Sequence, residues 1–74
     1  MLLSQLKKDM EAKIIKIDAD KPLRDRFNSF GIIVGETIVL KRYSLAKQTL
    51  EIEVDGTLIV LRADEADKIE VEKI

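Results

Sequence analysis

The second half of the chain alternates apolar and acidic side chains. From Leu50 to Val54 every second residue is apolar, and glutamates fill the positions between them. This period of two predicts a strand with one buried face. Asp55-Gly56 follows, and a second apolar run begins at Thr57. Asp-Gly between two such runs is typical of a two-residue turn of type I′, so the pattern predicts a β-hairpin with Val54 opposite Thr57.

The outer face of this hairpin carries apolar side chains that the core does not explain. The predicted register places Leu58 and Val60 beside the glutamates of the preceding strand. Contiguous apolar side chains on a surface usually have a cover. The favoured cover is a short N-terminal helix whose apolar residues share one face: Leu3, Leu6 and Met10. A partner protein is the alternative.

One longer helix is predicted near the middle of the chain. Asp20 is placed as its N-cap, Pro22 lies in its first turn, and Gly31 stands where a glycine would end it. Its apolar face follows the spacing i, i+4 and i+7: Leu23, Phe27 and Phe30. The rest of the helix surface is polar, which is typical of a helix packed on one side only.

Three more strands are predicted over residues 11–18, 37–43 and 69–72, which are rich in β-branched residues. A slip in apolar parity within 11–18 predicts a bulge or a strand covered on both faces. Residues 63–68 are predicted to form either a short polar turn or a helical turn. The prediction is a mainly β single domain over residues 1–74, with five strands and one to two short α-helices. Such short strands favour a small barrel, because closure protects strand edges.

Composition excludes several functions. The chain has 13 basic and 14 acidic residues, a net charge of −1, and this balance does not suit nucleic-acid binding. It has no cysteine and no histidine, which removes thiolate and imidazole ligands and the commonest general base. We therefore expect no enzyme and no cofactor, and interpret the carboxylates near residues 18–20 and 64–67 as solvated. No apolar run approaches the ~18 residues of a membrane span, so we expect a cytoplasmic protein without membrane insertion.

Positive charge is concentrated in residues 23–48, which carry a net charge of +3. A basic surface can steer an acidic partner. The candidate partner-binding residues are Arg24, Arg26, Lys41, Arg42, Tyr43 and Lys47. The alternative for the basic side chains is pairing across the sheet with Glu51 and Glu53, with Lys41 opposite Glu51. For Arg26 the alternative is packing on Phe30, and for Tyr43 it is a half-buried strand aromatic.

Three segments carry a resemblance to a known family. Leu23–Glu36 has the order Leu, two variable residues, Arg, an apolar residue, two variable residues, an apolar residue, Gly, and a second Gly four residues on. The opening Leu3–Leu6 and the closing Leu61–Val71 are also similar to family segments. Together they resemble the ferrous iron transport protein A family (FeoA), over the whole chain. The family often has a Gly-Asp-Pro type turn where this chain has Ala46–Gln48, so the loop Arg42–Gln48 departs from the pattern.

The resemblance implies a Src-homology-3-like (SH3-like) barrel with an accessory or regulatory role in ferrous iron uptake. Its implied partner is the cytoplasmic part of the membrane transporter FeoB, which carries a guanine-nucleotide-binding domain. Two alternatives stay open: an SH3-like protein- or peptide-binding adaptor unrelated to iron, and a metal-responsive regulatory domain of the kind fused to metal-dependent repressors. A homo-oligomer also stays open.

We expect the chain to hold no tight Fe²⁺ or Zn²⁺ site, because it lacks the imidazole and thiolate ligands that such ions favour. Calorimetric titration with either ion measures this directly. A stoichiometric site of micromolar affinity or better would contradict the expectation.

Overall fold

The computed structural model describes residues 1–74 as one antiparallel sheet wrapped around an apolar interior. The strands are β1 (Glu11–Ile17), β2 (Thr37–Tyr43), β3 (Thr49–Val54), β4 (Thr57–Arg62) and β5 (Ile69–Lys73). The helices are α1 (Lys21–Ser29) and α2 (Ala63–Ala66), with two 3-10 turns, the N-terminal turn (Leu3–Gln5) and the loop turn (Leu45–Lys47). The strands lie in the order β4-β3-β2-β1-β5. The predicted mainly β class, with five strands and short helices, is confirmed.

The β3–β4 hairpin has the predicted register. Val54 pairs with Thr57 and the pairing continues without a shift to Thr49 and Arg62. The two turn residues, Asp55 (φ 50) and Gly56 (φ 78), both have positive φ, as a type I′ turn requires.

Two bulges interrupt the other strand pairs. The β1–β5 register shifts between Ile14 and Lys16, so the bulge predicted from the parity slip in β1 is confirmed. The β2–β3 register shifts between Leu40 and Arg42, and Arg42 lies opposite Glu51. The predicted pairing of Lys41 with Glu51 is therefore wrong. A bulge adds one unpaired residue to one strand, which parity counting across a loop does not reveal.

The N-terminal residues close the sheet at the outer edge of β5. The Val71 amide donates to the Met1 carbonyl at 2.7 Å, the Met1 ammonium donates to the Val71 carbonyl at 3.1 Å, and Leu2 bridges to Glu70. Leu3, within the N-terminal turn, is fully buried in the interior. This segment therefore acts as a plug and an added edge rather than as a surface helix.

The outer face of β4 is left without a cover. Leu58 is 58% exposed and Val60 is 59% exposed. The prediction that an N-terminal helix covers them is wrong, because that helix is a three-residue turn whose Leu3 lies inside the barrel, as does the following Leu6.

The interior is formed by apolar side chains alone. It contains 17 buried residues and no buried polar or charged one. The helix α1 contributes Phe27; its N-cap Asp20 accepts from the Leu23 amide at 3.1 Å, and Gly31 (φ 82) ends it. Phe30 is 40% exposed, so its predicted place on the buried face is wrong. The helix ends at Ser29, and Phe30 belongs to its C-terminal cap.

We expect Gly56→Val to lower the free energy of unfolding by about 1–3 kcal/mol, because φ 78 is strained for a β-branched residue. An added Cβ would meet no atom within 4 Å, so the cost comes from the backbone alone. Gly56→Asn is the matched control, since asparagine tolerates this conformation far better. An unchanged midpoint for Gly56→Val in urea titration would contradict the turn assignment.

Candidate partner-binding surface

The six candidate residues fall into two separate groups in the structure. No residue that forms a hydrogen bond or ion pair with one group does so with the other. Arg24 and Arg26 lie on α1, and the other four lie on β2 and the loop that follows it. The Arg24 guanidinium donates to the Ile17 carbonyl at 3.0 Å and thereby fastens the start of α1 to the end of β1. Arg24 is therefore already engaged in the fold.

Arg26 joins the two α-helices. Its guanidinium pairs with the Glu65 carboxylate, and its Cζ lies 5.8 Å from the centre of the Phe30 ring, so the contact with Phe30 offered as an alternative is present. The other oxygen of Glu65 accepts from the Arg62 amide at 3.0 Å. The Glu65 side chain is only 12% exposed. Removal of Arg26 would leave this largely buried carboxylate without its charged partner and would lower the stability of the fold.

The two cations on β2 also have partners within the sheet. Lys41 Nζ lies 3.2 Å from Glu53 Oε1, and Arg42 Nε lies 3.6 Å from Glu51 Oε1. The cross-sheet pairing that the sequence offered as an alternative is thus present, although with exchanged partners. The Arg42 side chain is 72% exposed, and ion pairs at this exposure contribute about 0–1 kcal/mol. Arg42 can turn toward another carboxylate at little cost.

Tyr43 holds the N-terminal turn in place through its hydroxyl group. Its hydroxyl donates to the Ser4 carbonyl at 2.8 Å and lies within hydrogen-bond distance of the Leu6 carbonyl. Burial raises the pKa of this hydroxyl above its ordinary value of 10.0, because a phenolate loses hydration there. The half-buried strand aromatic offered as the alternative for Tyr43 is what the structure contains.

The loop turn presents the least engaged side chains. Lys47 forms no ion pair, and its Nζ lies 5.1 Å from the centre of the Tyr43 ring. Leu45 is 97% exposed. Ala46 (φ 64) and Lys47 (φ 56) both have positive φ, a conformation that non-glycine residues adopt only a few per cent of the time.

An open groove of about 320 Å³ lies at the foot of this loop. Its lining residues come from three strands and the loop: Arg42, Tyr43, Ser44, Thr49, Leu50, Glu51 and Val60. The groove brings the exposed Val60 beside three residues of the Arg42–Ser44 segment, a proximity that depends on the β2 bulge. Sequence reasoning named Arg42 and Tyr43 of this lining and Lys47 of the loop, but it missed Leu45, whose large apolar side chain in a loop was the available signal.

Four of the five carboxylates in residues 18–20 and 64–67, which the sequence interpretation left solvated, have partners in the fold, and Asp18 has none. Asp67 accepts from the Ser4 hydroxyl, Glu65 pairs with Arg26, and Asp20 caps α1. No group of three or more potential metal-ligating side chains comes together.

Known proteins share both the sequence and the shape of this chain. The model of the FeoA domain family matches residues 1–73. A Campylobacter jejuni protein named "Putative Fe(2+) transport protein A" is 38% identical over 74 residues, which is 100% of both chains. The solution structure of FeoA from Chlorobium tepidum superimposes with a TM-score of 0.94 at 27% identity, covering 100% of this chain and 70% of that one. A manganese-dependent transcriptional repressor, 20% identical, shares the fold with a TM-score of 0.92 over 36% of its length.

The curled five-stranded sheet and these likenesses define a small SH3-like β domain. The chain belongs to the FeoA domain family, which is associated with Fe²⁺ transport. The resemblance seen in the sequence is thereby confirmed. None of its helices combines the length and the apolar character needed to cross a membrane.

We expect Tyr43→Phe to lower the free energy of unfolding at neutral pH by about 0.5–1.5 kcal/mol, because the hydroxyl bonds to the N-terminal turn are lost. The wild type should also lose stability as pH rises above about 10, since the unfolded phenol ionises there while the folded one keeps its proton. Tyr43→Phe should lack this component of the pH dependence.

Tyr43 is the single tyrosine and the chain has no tryptophan, so the absorbance of phenolate titrates this group alone. A midpoint at or below that of a model phenol would contradict the burial of the hydroxyl.

Proposed function

We propose that this chain is a cytoplasmic accessory protein of ferrous iron uptake that binds the cytoplasmic region of a FeoB-type transporter. The observation that carries the proposal is membership of the FeoA domain family over residues 1–73. Full-length similarity to the Campylobacter jejuni protein supports it. The chain acts by binding and positioning rather than by chemistry, consistent with the absence of histidine and cysteine.

The loop surface is the contact that we propose for this partner. It consists of Arg42, Tyr43, the loop turn Leu45–Lys47 and the adjoining groove. Lys47 is the one candidate cation without a hydrogen-bonded or ion-paired partner in the fold, and Arg42 has a partner that it can exchange. Leu45 adds an apolar side chain that is 97% exposed. An acidic surface with an apolar recess complements this arrangement.

The remaining candidates have secondary roles in this proposal. Lys41 contributes charge from the edge of the loop surface, through a side chain that Glu53 partly neutralises. Arg24 and Arg26 keep α1 in place and reach the partner only through their exposed portions. A peptide-binding adaptor would need a groove lined by several aromatic side chains for proline-rich ligands, and here Tyr43 is the one aromatic in the groove.

The test is calorimetric titration of the chain with the soluble cytoplasmic region of the transporter. We expect Lys47→Glu combined with Leu45→Ser to weaken binding at least tenfold, about 1.4 kcal/mol. It should also flatten the dependence of binding on salt, because exposed charges are screened over about 8–10 Å. Lys8→Glu is the matched control, an exposed lysine outside the loop surface that forms no ion pair.

Circular dichroism of each variant verifies the fold. Leu58→Ser examines the competing contact through the outer face of β4. Loss of binding in Leu58→Ser together with wild-type affinity in the loop variant would move the site to β4. Wild-type affinity in every variant would overturn the loop surface, and absence of binding by the wild type would overturn the proposed partner.

A further inference from the structure

The outer edge of β4 is an unpaired strand edge. β4 lies at one end of the sheet and pairs with β3 alone. In a hairpin with a two-residue turn, the residues flanking the turn form a hydrogen-bonded pair and every second residue follows them. Thr57, Ile59 and Leu61 therefore bond to β3, and the amide and carbonyl groups of Leu58 and Val60 point away from the sheet.

The opposite edge of the sheet is treated differently. The Met1–Leu2 segment covers β5, with hydrogen bonds between Met1 and Val71. On β4 the Arg62 amide is satisfied by Glu65 Oε1, but no such bond exists for the amides of Leu58 and Val60. One edge is sealed by the chain itself and the other is open.

The open edge has none of the usual protection against strand addition. Natural edge strands are blunted by proline, by central charges or by bulges. The β3–β4 register runs without a shift, and the two outward side chains in the middle of β4 are Leu58 and Val60, both more than half exposed. Its one charged residue, Arg62, stands at the end.

We propose that β4 pairs with β4 of a second copy of this chain, antiparallel and about a two-fold axis at Ile59. In this register Leu58 lies opposite Val60 of the second copy, and Val60 opposite its Leu58. This register pairs the free amides of Leu58 and Val60 with free carbonyls of the second copy, and it leaves the hydrogen bond between Arg62 and Glu65 intact. A shift by two residues in one direction would place Leu58 opposite Arg62, whose amide is already bonded, and a shift in the other direction would place Val60 opposite Gly56, so that only the two Leu58 side chains meet.

The side chains and charges match this register. The apolar pairs of the two copies form one strip on the outer face, in which each side chain contacts its cross-strand neighbour and loses part of its exposure to water. Arg62 of each copy comes opposite Gly56 of the other, at the turn that carries Asp55, so opposite charges meet at both ends. The contact is small by the standard of stable complexes, and we expect a reversible dimer with a Kd on the order of 100 µM.

This inference does not rest on the proposed function, although Val60 also lines the groove of the loop surface, and its test uses this chain alone. Sedimentation should show dimer growing as the concentration passes the expected Kd. Hydrogen exchange should show the Leu58 and Val60 amides gaining protection with concentration, while the Ile59 amide, already bonded to β3, does not change. Side-chain association without strand pairing would not give this alternation.

Val60→Pro is the sharpest variant, because it deletes an outward donor and no hydrogen bond of the monomer. We expect it to abolish the dimer, and Leu58→Lys to do the same by charge. Val34→Lys is the matched control: Val34 is 60% exposed and lies outside the strands, so its dimer should persist. The chain has no cysteine, so introduced cysteines report on the register. A mixture of Leu58→Cys and Val60→Cys chains should form more disulfide-linked dimer than either variant forms by itself.

A protein that stays monomeric well above the expected Kd would overturn the proposal. A dimer that survives both edge variants would overturn it as well. If the edge amides are protected by the transporter region but never by concentration, the edge accepts a strand from another protein and the self-pairing is wrong.

Discussion

The sheet does not close through its own strands, and the rest of the structure depends on how the Met1–Leu6 segment covers the edge of β5 and fills the interior. β4 and β5 stand at opposite ends of the strand order and do not pair. The backbone of Met1 and Leu2 extends β5, and Leu3 and Leu6 fill the interior beside it. Tyr43 then holds this segment through its hydroxyl. The loop surface therefore contains a residue, Tyr43, that also holds the N-terminal segment in place.

An interior made of apolar side chains alone places every charge at the surface. In a chain with 36% charged residues, cations and carboxylates then share the surface and some of them pair, so a sequence with excess positive charge in its middle need not present a basic face. Arg26 is neutralised by Glu65, and Lys41 by Glu53. Among the candidate cations, Lys47 is distinguished by a side chain that forms no ion pair and no hydrogen bond.

Local patterns predicted the hairpin fully and the site only in part. Alternation and Asp55-Gly56 determine the β3–β4 register, because both act within a few residues. The Lys41 pairing failed because a bulge in β2 depends on the curvature of the whole sheet. The Arg26–Glu65 pair joins residues 39 positions apart, a contact that no local spacing encodes. The burial of Leu3 could not be predicted from helical spacing, because the interior that this side chain fills exists only once the sheet is curled.

The strand order also sets the order in which the molecule can assemble. β2, β3 and β4 are joined by short connections, so their pairing closes small loops at little entropic cost. β1 must instead meet β5, with Ile17 opposite Ile69, across nearly the whole chain. Contacts of such long sequence separation slow folding. We therefore expect the β2–β3–β4 strands to form the folding nucleus and the β1–β5 pairing to form later. A nascent chain that still lacks β5 has no strand with which its first residues can pair.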